Sequence, residues 1–82
     1  PDAVFLGGGL SEAAVDAARA ALRPRGRLVA NAVTLESEAL LLALHGRLGG
    51  DLTRISISRA APVGTRSGWR PSMDVTQWSL ET

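Results

Sequence analysis

Three side chains able to hold an anion and cover an apolar surface stand close together: Arg66, Trp69 and Arg70, in the stretch Val63 to Pro71 with Gly64 and Gly68. A guanidinium presents a planar fork of N–H donors that matches a carboxylate, and an indole adds a broad apolar face. Together they suit a ligand that is both polyanionic and partly apolar. A second candidate is Gly7-Gly8-Gly9, which closes the apolar run Ala3-Val-Phe-Leu6. At the end of a buried parallel strand, glycines let backbone N–H groups approach a ligand with no Cβ in the way. The same three glycines would also serve as a tight structural turn.

Asn31 is a polar residue within the apolar segment Arg27-Leu-Val-Ala-Asn-Ala-Val33. Burying its amide unpartnered would cost about 1 to 3 kcal/mol, so it needs either a hydrogen bond within the chain or a ligand. Thr34, three residues on, stands where it would cap a helix or touch that ligand, and Glu36 falls in the first helical turn, where a carboxylate is favoured.

Other chemistries are excluded by what the chain lacks. It has no cysteine and a single histidine, His45, so it offers no thiolate nucleophile, disulfide framework or His-rich metal site. No Ser/His/Asp or Cys/His set identifies a catalytic group. The nine basic residues are all arginine and face eight acids, for a net charge of +1. A nucleic-acid binder would show a basic stripe, whereas the only concentration here is Arg59, Arg66 and Arg70. The longest apolar run, Ala39 to Leu44, is far too short to span a bilayer. The triple glycine has no Lys-Ser/Thr after it, which disfavours a phosphate loop of the P-loop kind, and no GxGxxG turn is present. A cytoplasmic setting is expected for a cysteine-free chain of this composition.

The elements that must position these residues follow from periodicity. Ala3–Leu6 reads as a buried strand. Ser11 is placed to cap a helix reaching about Leu22, with Ala14, Val15, Ala18, Ala21 and Leu22 on one face and Pro24 and Gly26 as its stop. Arg27–Val33 is a second buried strand, followed by a helix from about Leu35 to Leu48 that ends at Gly49-Gly50. Leu52–Arg59 alternates as a half-exposed strand near a sheet edge, and Pro62 is expected to end it. Val63–Pro71 is expected to be a loop, and Val75–Leu80 a last strand carrying Trp78. There is no internal repeat, linker or boundary, so residues 1–82 form one unit with a thin core. Pro1 stands directly before a strand, and an upstream portion of the domain is expected to precede it.

Read together, Asp2-AVFLGGG-Leu10, Arg27-LVANAVTLESEALLLA-Leu44 and Ala60-APVGTRSGWRPSMDVTQWS-Leu80 resemble the C-terminal methyltransferase domains of the decarboxylating precorrin-6Y C(5,15)-methyltransferases, enzymes of cobalamin biosynthesis. The resemblance runs over nearly all of the chain and matches the second half of that domain. It implies an α/β architecture, the C-terminal half of a Rossmann-like S-adenosylmethionine-dependent methyltransferase fold, in the order β-α-β-α-β-β. The last strand, antiparallel, would lie between the two strands before it. The missing first half would hold most of the adenosine and ribose contacts.

For the parent enzyme the resemblance implies transfer of a methyl group from S-adenosylmethionine to meso carbon 15 of a precorrin, with loss of carboxylate from the acetate on carbon 12. Gly7, Gly8 and Gly9 would then border the cofactor, and Asn31, Thr34, Arg66, Trp69 and Arg70 the tetrapyrrole. A homo-oligomer is expected. Two readings from other classes stay open on the residues alone: a non-catalytic binding or assembly module with an exposed strand edge, and a nucleotide-binding domain of unrelated chemistry.

Overall fold

A computed structural model describes all of residues 1–82. Strand β1 (Ala3–Leu6), helix α1 (Glu12–Ala21), strand β2 (Arg27–Ala32), helix α2 (Leu35–Leu48) and strand β3 (Asp51–Ile55) follow in turn. Next come β4 (Ser58–Val63), β5 (Arg66–Pro71) and β6 (Val75–Glu81). Both helix starts are set by the expected hydroxyls. Ser11 Oγ accepts from the Ala14 amide at 3.1 Å, and Thr34 Oγ1 accepts from the Ser37 amide at 3.2 Å, each satisfying one donor that the first turn leaves free.

Four strands form the main sheet in the order β1-β2-β6-β3. β1 and β2 are parallel, while β6 runs antiparallel to both β2 and β3, with Trp78 opposite Ala30 on one side and Leu52 on the other. The insertion of the last strand, antiparallel, between β2 and β3 is the arrangement expected. Leu28, Ala30, Ala32, Thr76 and Trp78 share one face, and Val15 and Ala18 of α1 with Leu41 and Leu44 of α2 complete its buried layer. Both crossovers advance in the same direction across the sheet, so right-handedness puts both helices on that one face. The other face carries Phe5, Val29, Asn31, Gln77 and Ile55, and no helix of this chain covers it. Phe5 remains 63% exposed.

Trp78 anchors the core. It is fully buried, and its indole N–H donates to the Gly49 carbonyl at 2.8 Å. Gly49 and Gly50 both have positive φ (79° and 87°), and a Cβ on Gly50 would lie 2.5 Å from the Ser79 carbonyl oxygen. Glycine is therefore required where α2 turns into β3 against the backbone of β6.

The expected strand Leu52–Arg59 and loop Val63–Pro71 are corrected. β3 stops at Ile55, and residues 58–71 form a separate two-stranded hairpin closed by Gly64-Thr65. Gly64 has φ 60° while Thr65 does not take a positive φ. Glycine first in a two-residue loop matches the twist of the flanking strands. Pro62 does not end a strand but sits within β4, opposite Ser67. Each hairpin strand has only one neighbour, so a residue without an N–H breaks no second ladder. The hairpin packs mainly on itself, and the molecule measures 54 × 23 × 19 Å. Its radius of gyration is 15.9 Å, against about 12 Å for a compact domain of this length. The extra reach is the projecting hairpin.

Candidate functional site

β1, β2 and β3 point the same way, so their C-terminal ends form one rim. Gly7-Gly8-Gly9 leave β1 there, Asn31 to Thr34 end β2, and the hairpin springs from just beyond β3. In open α/β sheets this rim is where ligands bind. Gly8 and Gly9 face open space, since a Cβ on either would meet no atom within 4 Å, and Gly9 has φ 71°. Their amides donate to no group of this chain. The turn thus offers free N–H donors with room for an anionic ligand group to reach them.

Asn31 lies beside Gly7, one residue past the Leu6–Ala30 register pair, on the helix-free face of the sheet. It does have a partner in the chain: the Gln77 side-chain amide donates to Asn31 Oδ1 at 3.1 Å across the β2–β6 ladder. That orientation leaves the Asn31 amino group for a ligand. Thr34 spends its oxygen on the helix cap. Replacing it by alanine should therefore cost about 1 kcal/mol of stability, read as a lowered urea midpoint of the domain; an unchanged midpoint with altered ligand affinity would reverse that assignment.

The hairpin register sorts the remaining candidates. Successive side chains of a strand alternate between faces, so Arg66, Gly68 and Arg70 share one face while Ser67, Trp69 and Pro71 share the other. Arg59 is directly opposite Arg70, and Val63 opposite Arg66. One face therefore carries three arginines around a floor of Ala61, Val63 and Gly68. A shallow cleft of about 300 Å³ opens at this part of the hairpin, lined by Ala61–Val63 and Gly68–Pro71. Trp69, 77% exposed, alternates onto the face opposite Arg66 and Arg70 but lines this cleft beside Arg70, whereas Arg59 and Arg66 do not line it. Arg59, already part of the one basic concentration in the sequence, lies outside Val63–Pro71, and strand pairing across Gly64-Thr65 sets it directly beside Arg70.

The ion pairs of the chain lie elsewhere. Arg23 pairs with Asp2, Arg27 with Glu81, Arg47 with Glu12 and Arg54 with Glu38, and residues 58–71 contain no acid. The three hairpin guanidinium groups are thus without carboxylate partners. No group of three or more His, Asp or Glu side chains is placed to hold a metal ion, and His45 sits half-buried within α2.

Comparison with known proteins matches the model of the precorrin methyltransferase domain over residues 1–82. A precorrin-6Y C(5,15)-methyltransferase [decarboxylating] of Sinorhizobium sp is 61% identical over 80 residues, which are 96% of this chain and 19% of that protein. A protein of the same name from Mycobacterium tuberculosis is 47% identical over 81 residues, 98% of this chain and 21% of the relative. The crystal structure of the C-terminal domain of precorrin-6Y C5,15-methyltransferase from Rhodobacter capsulatus superposes with a TM-score of 0.90 at 52% identity, covering all of this chain and 45% of that one. The chain spans about a fifth of the length of the curated relatives it matches, and its fold is that of just under half of the solved domain.

Proposed function

Because this chain belongs to the precorrin methyltransferase domain family, we propose that it supplies the acceptor side of the active site in a decarboxylating precorrin-6Y C(5,15)-methyltransferase of cobalamin biosynthesis. The observation that carries this reading is the common rim, where an open glycine turn, an amide and an arginine-bearing hairpin all emerge from one end of the sheet. S-adenosylmethionine would supply the electrophilic methyl group. Gly7, Gly8 and Gly9 would hold its methionine end through backbone N–H donors, and the upstream part of the domain would hold the adenosine.

Asn31 and Thr34 would border the tetrapyrrole, while Arg66 and Arg70 would bind its acetate and propionate carboxylates. A ring-reduced tetrapyrrole is an electron-rich carbon nucleophile. Orientation and exclusion of water can therefore supply much of the rate enhancement without a catalytic triad, because fixing the reacting atoms removes entropy from the barrier. No residue of this chain is assigned as acid or base for the decarboxylation. Trp69, facing away from the arginines, would meet substrate or hairpin of a neighbouring copy. Both long edges of the hairpin lack ladder partners, the kind of edge that a second copy pairs with, so a homo-oligomer is part of the proposal. The proposed setting is the cytoplasm.

The test is calorimetric. The full-length enzyme should bind S-adenosylhomocysteine, and the 82-residue piece, without the adenosine contacts, should show no micromolar binding. Tight binding by the piece as a stable monomer would refute the division of the site. Failure of the full-length enzyme to bind would refute the function.

A further inference from the structure

We propose that Arg59 is a third substrate-binding guanidinium, which shares one carboxylate of the ligand with Arg70 across the β4–β5 ladder. The inference rests on the reading of the hairpin given above and extends it to a residue that reading does not contain. Arg59 and Arg70 are register partners, and side chains directly opposite in an antiparallel pair have Cβ atoms about 4.5 to 5.5 Å apart, where like charges destabilise the ladder. No acid within the hairpin relieves this pair, and the four ion pairs of the chain involve other arginines. One bound carboxylate would relieve it. Its two oxygens offer about four acceptor sites, enough to take N–H groups from both forks and turn a repulsive pair into a charge-assisted clamp.

The rest of the face fits a flat ligand with charges at its edge. Between Arg59/Arg70 and Arg66 lies the floor of Ala61, Gly68 and Val63. Val63 covers Gly68 so closely that a Cβ there would be 2.9 Å from Val63 Cγ2. The floor is low and apolar, and the cations stand at its two ends. That pattern selects a planar, mostly apolar body with peripheral carboxylates over a compact anion such as phosphate.

The experiment uses the full-length enzyme with Arg59→Thr, Arg70→Thr and the double variant, Thr being chosen because it suits a strand. Three quantities are read: KM for the tetrapyrrole, calorimetric Kd for S-adenosylhomocysteine, and the thermal midpoint. Arg59→Thr should raise the tetrapyrrole KM by about tenfold, as loss of a charge-assisted hydrogen bond does. The S-adenosylhomocysteine Kd should stay unchanged, and the midpoint should hold or rise because a like-charge pair has gone. The double variant should lose clearly less than the product of the two single losses, since both arginines serve one carboxylate.

An unchanged KM for Arg59→Thr beside a raised KM for Arg70→Thr would overturn this inference and leave the hairpin reading standing. An unchanged KM for both would overturn the hairpin reading as well. A lowered midpoint with weakened binding of both ligands would mean that Arg59 is structural, and fully multiplicative losses would remove the shared carboxylate.

Discussion

Replacing Trp78 by alanine should remove a large share of the stability of this part of the domain. A fully buried tryptophan cut back to a methyl group loses about 3 to 5 kcal/mol through lost burial and the cavity left behind. An 82-residue unit has in total only about 4 to 12 kcal/mol of stability at ordinary values per residue. The neighbours cannot close the gap, because Ala30 opposite the indole is small and Gly50 is fixed by the backbone of Ser79. Trp78→Phe should be milder, keeping an aromatic ring but losing the bond to the Gly49 carbonyl, a loss of about 1 kcal/mol for the hydrogen bond itself. Urea titration followed by circular dichroism measures both. An alanine variant within about 1 kcal/mol of the parent would show that the indole is not the keystone described.

The largest functional effect is expected from Arg66→Ala combined with Arg70→Ala in the full-length enzyme. Each charge-assisted bond contributes about 1.5 to 3 kcal/mol, so each single change should weaken tetrapyrrole binding roughly tenfold to a hundredfold. The two residues are four apart on an extended strand, roughly 14 Å at about 3.4 Å per residue, beyond the range at which substitutions usually couple. The double loss should therefore approach the product of the single losses, about a hundredfold to ten-thousandfold, with affinity for S-adenosylhomocysteine nearly unchanged. Equal loss of both ligands, or of neither, sinks the assignment. Non-additivity belongs to Arg59 with Arg70, not to Arg66 with Arg70.

The β-α-β-α portion was legible because its signals are local. Ser11 and Thr34 cap the helices they precede, Gly49-Gly50 stop the second, and the apolar runs Ala3–Leu6 and Arg27–Val33 lie within a residue of the observed strands. The hairpin was not read, although Gly64-Thr65 between two short runs is a recognised two-residue turn pattern. Two features hide it. The alternation of Ser56 and Ser58 continues the strand pattern past the break after Ile55, and a proline terminates a central strand but not one with a free side. Asn31 was legible as a residue needing a partner. Gln77 as that partner was not, because the two are 46 residues apart and only the β2–β6 register joins them. The grouping of Arg66 with Trp69 rested on nearness in sequence, and strand alternation separates them.

The position of β6 also governs how the chain reaches its fold. β6 follows β2 and β3 in sequence yet lies between them, so neither can complete its ladder until β6 has been synthesised. Until then both present a bare edge, and the space for Trp78 is empty. Pairing of β2 with β6 must also close a loop of over forty residues, and such non-local contacts are the slow ones. The β4–β5 hairpin needs only its own two strands and can form within microseconds. On the ribosome, the segment assigned here to substrate would therefore be shaped before the sheet that carries it, and the final insertion of β6 would set the pace at which the domain becomes competent.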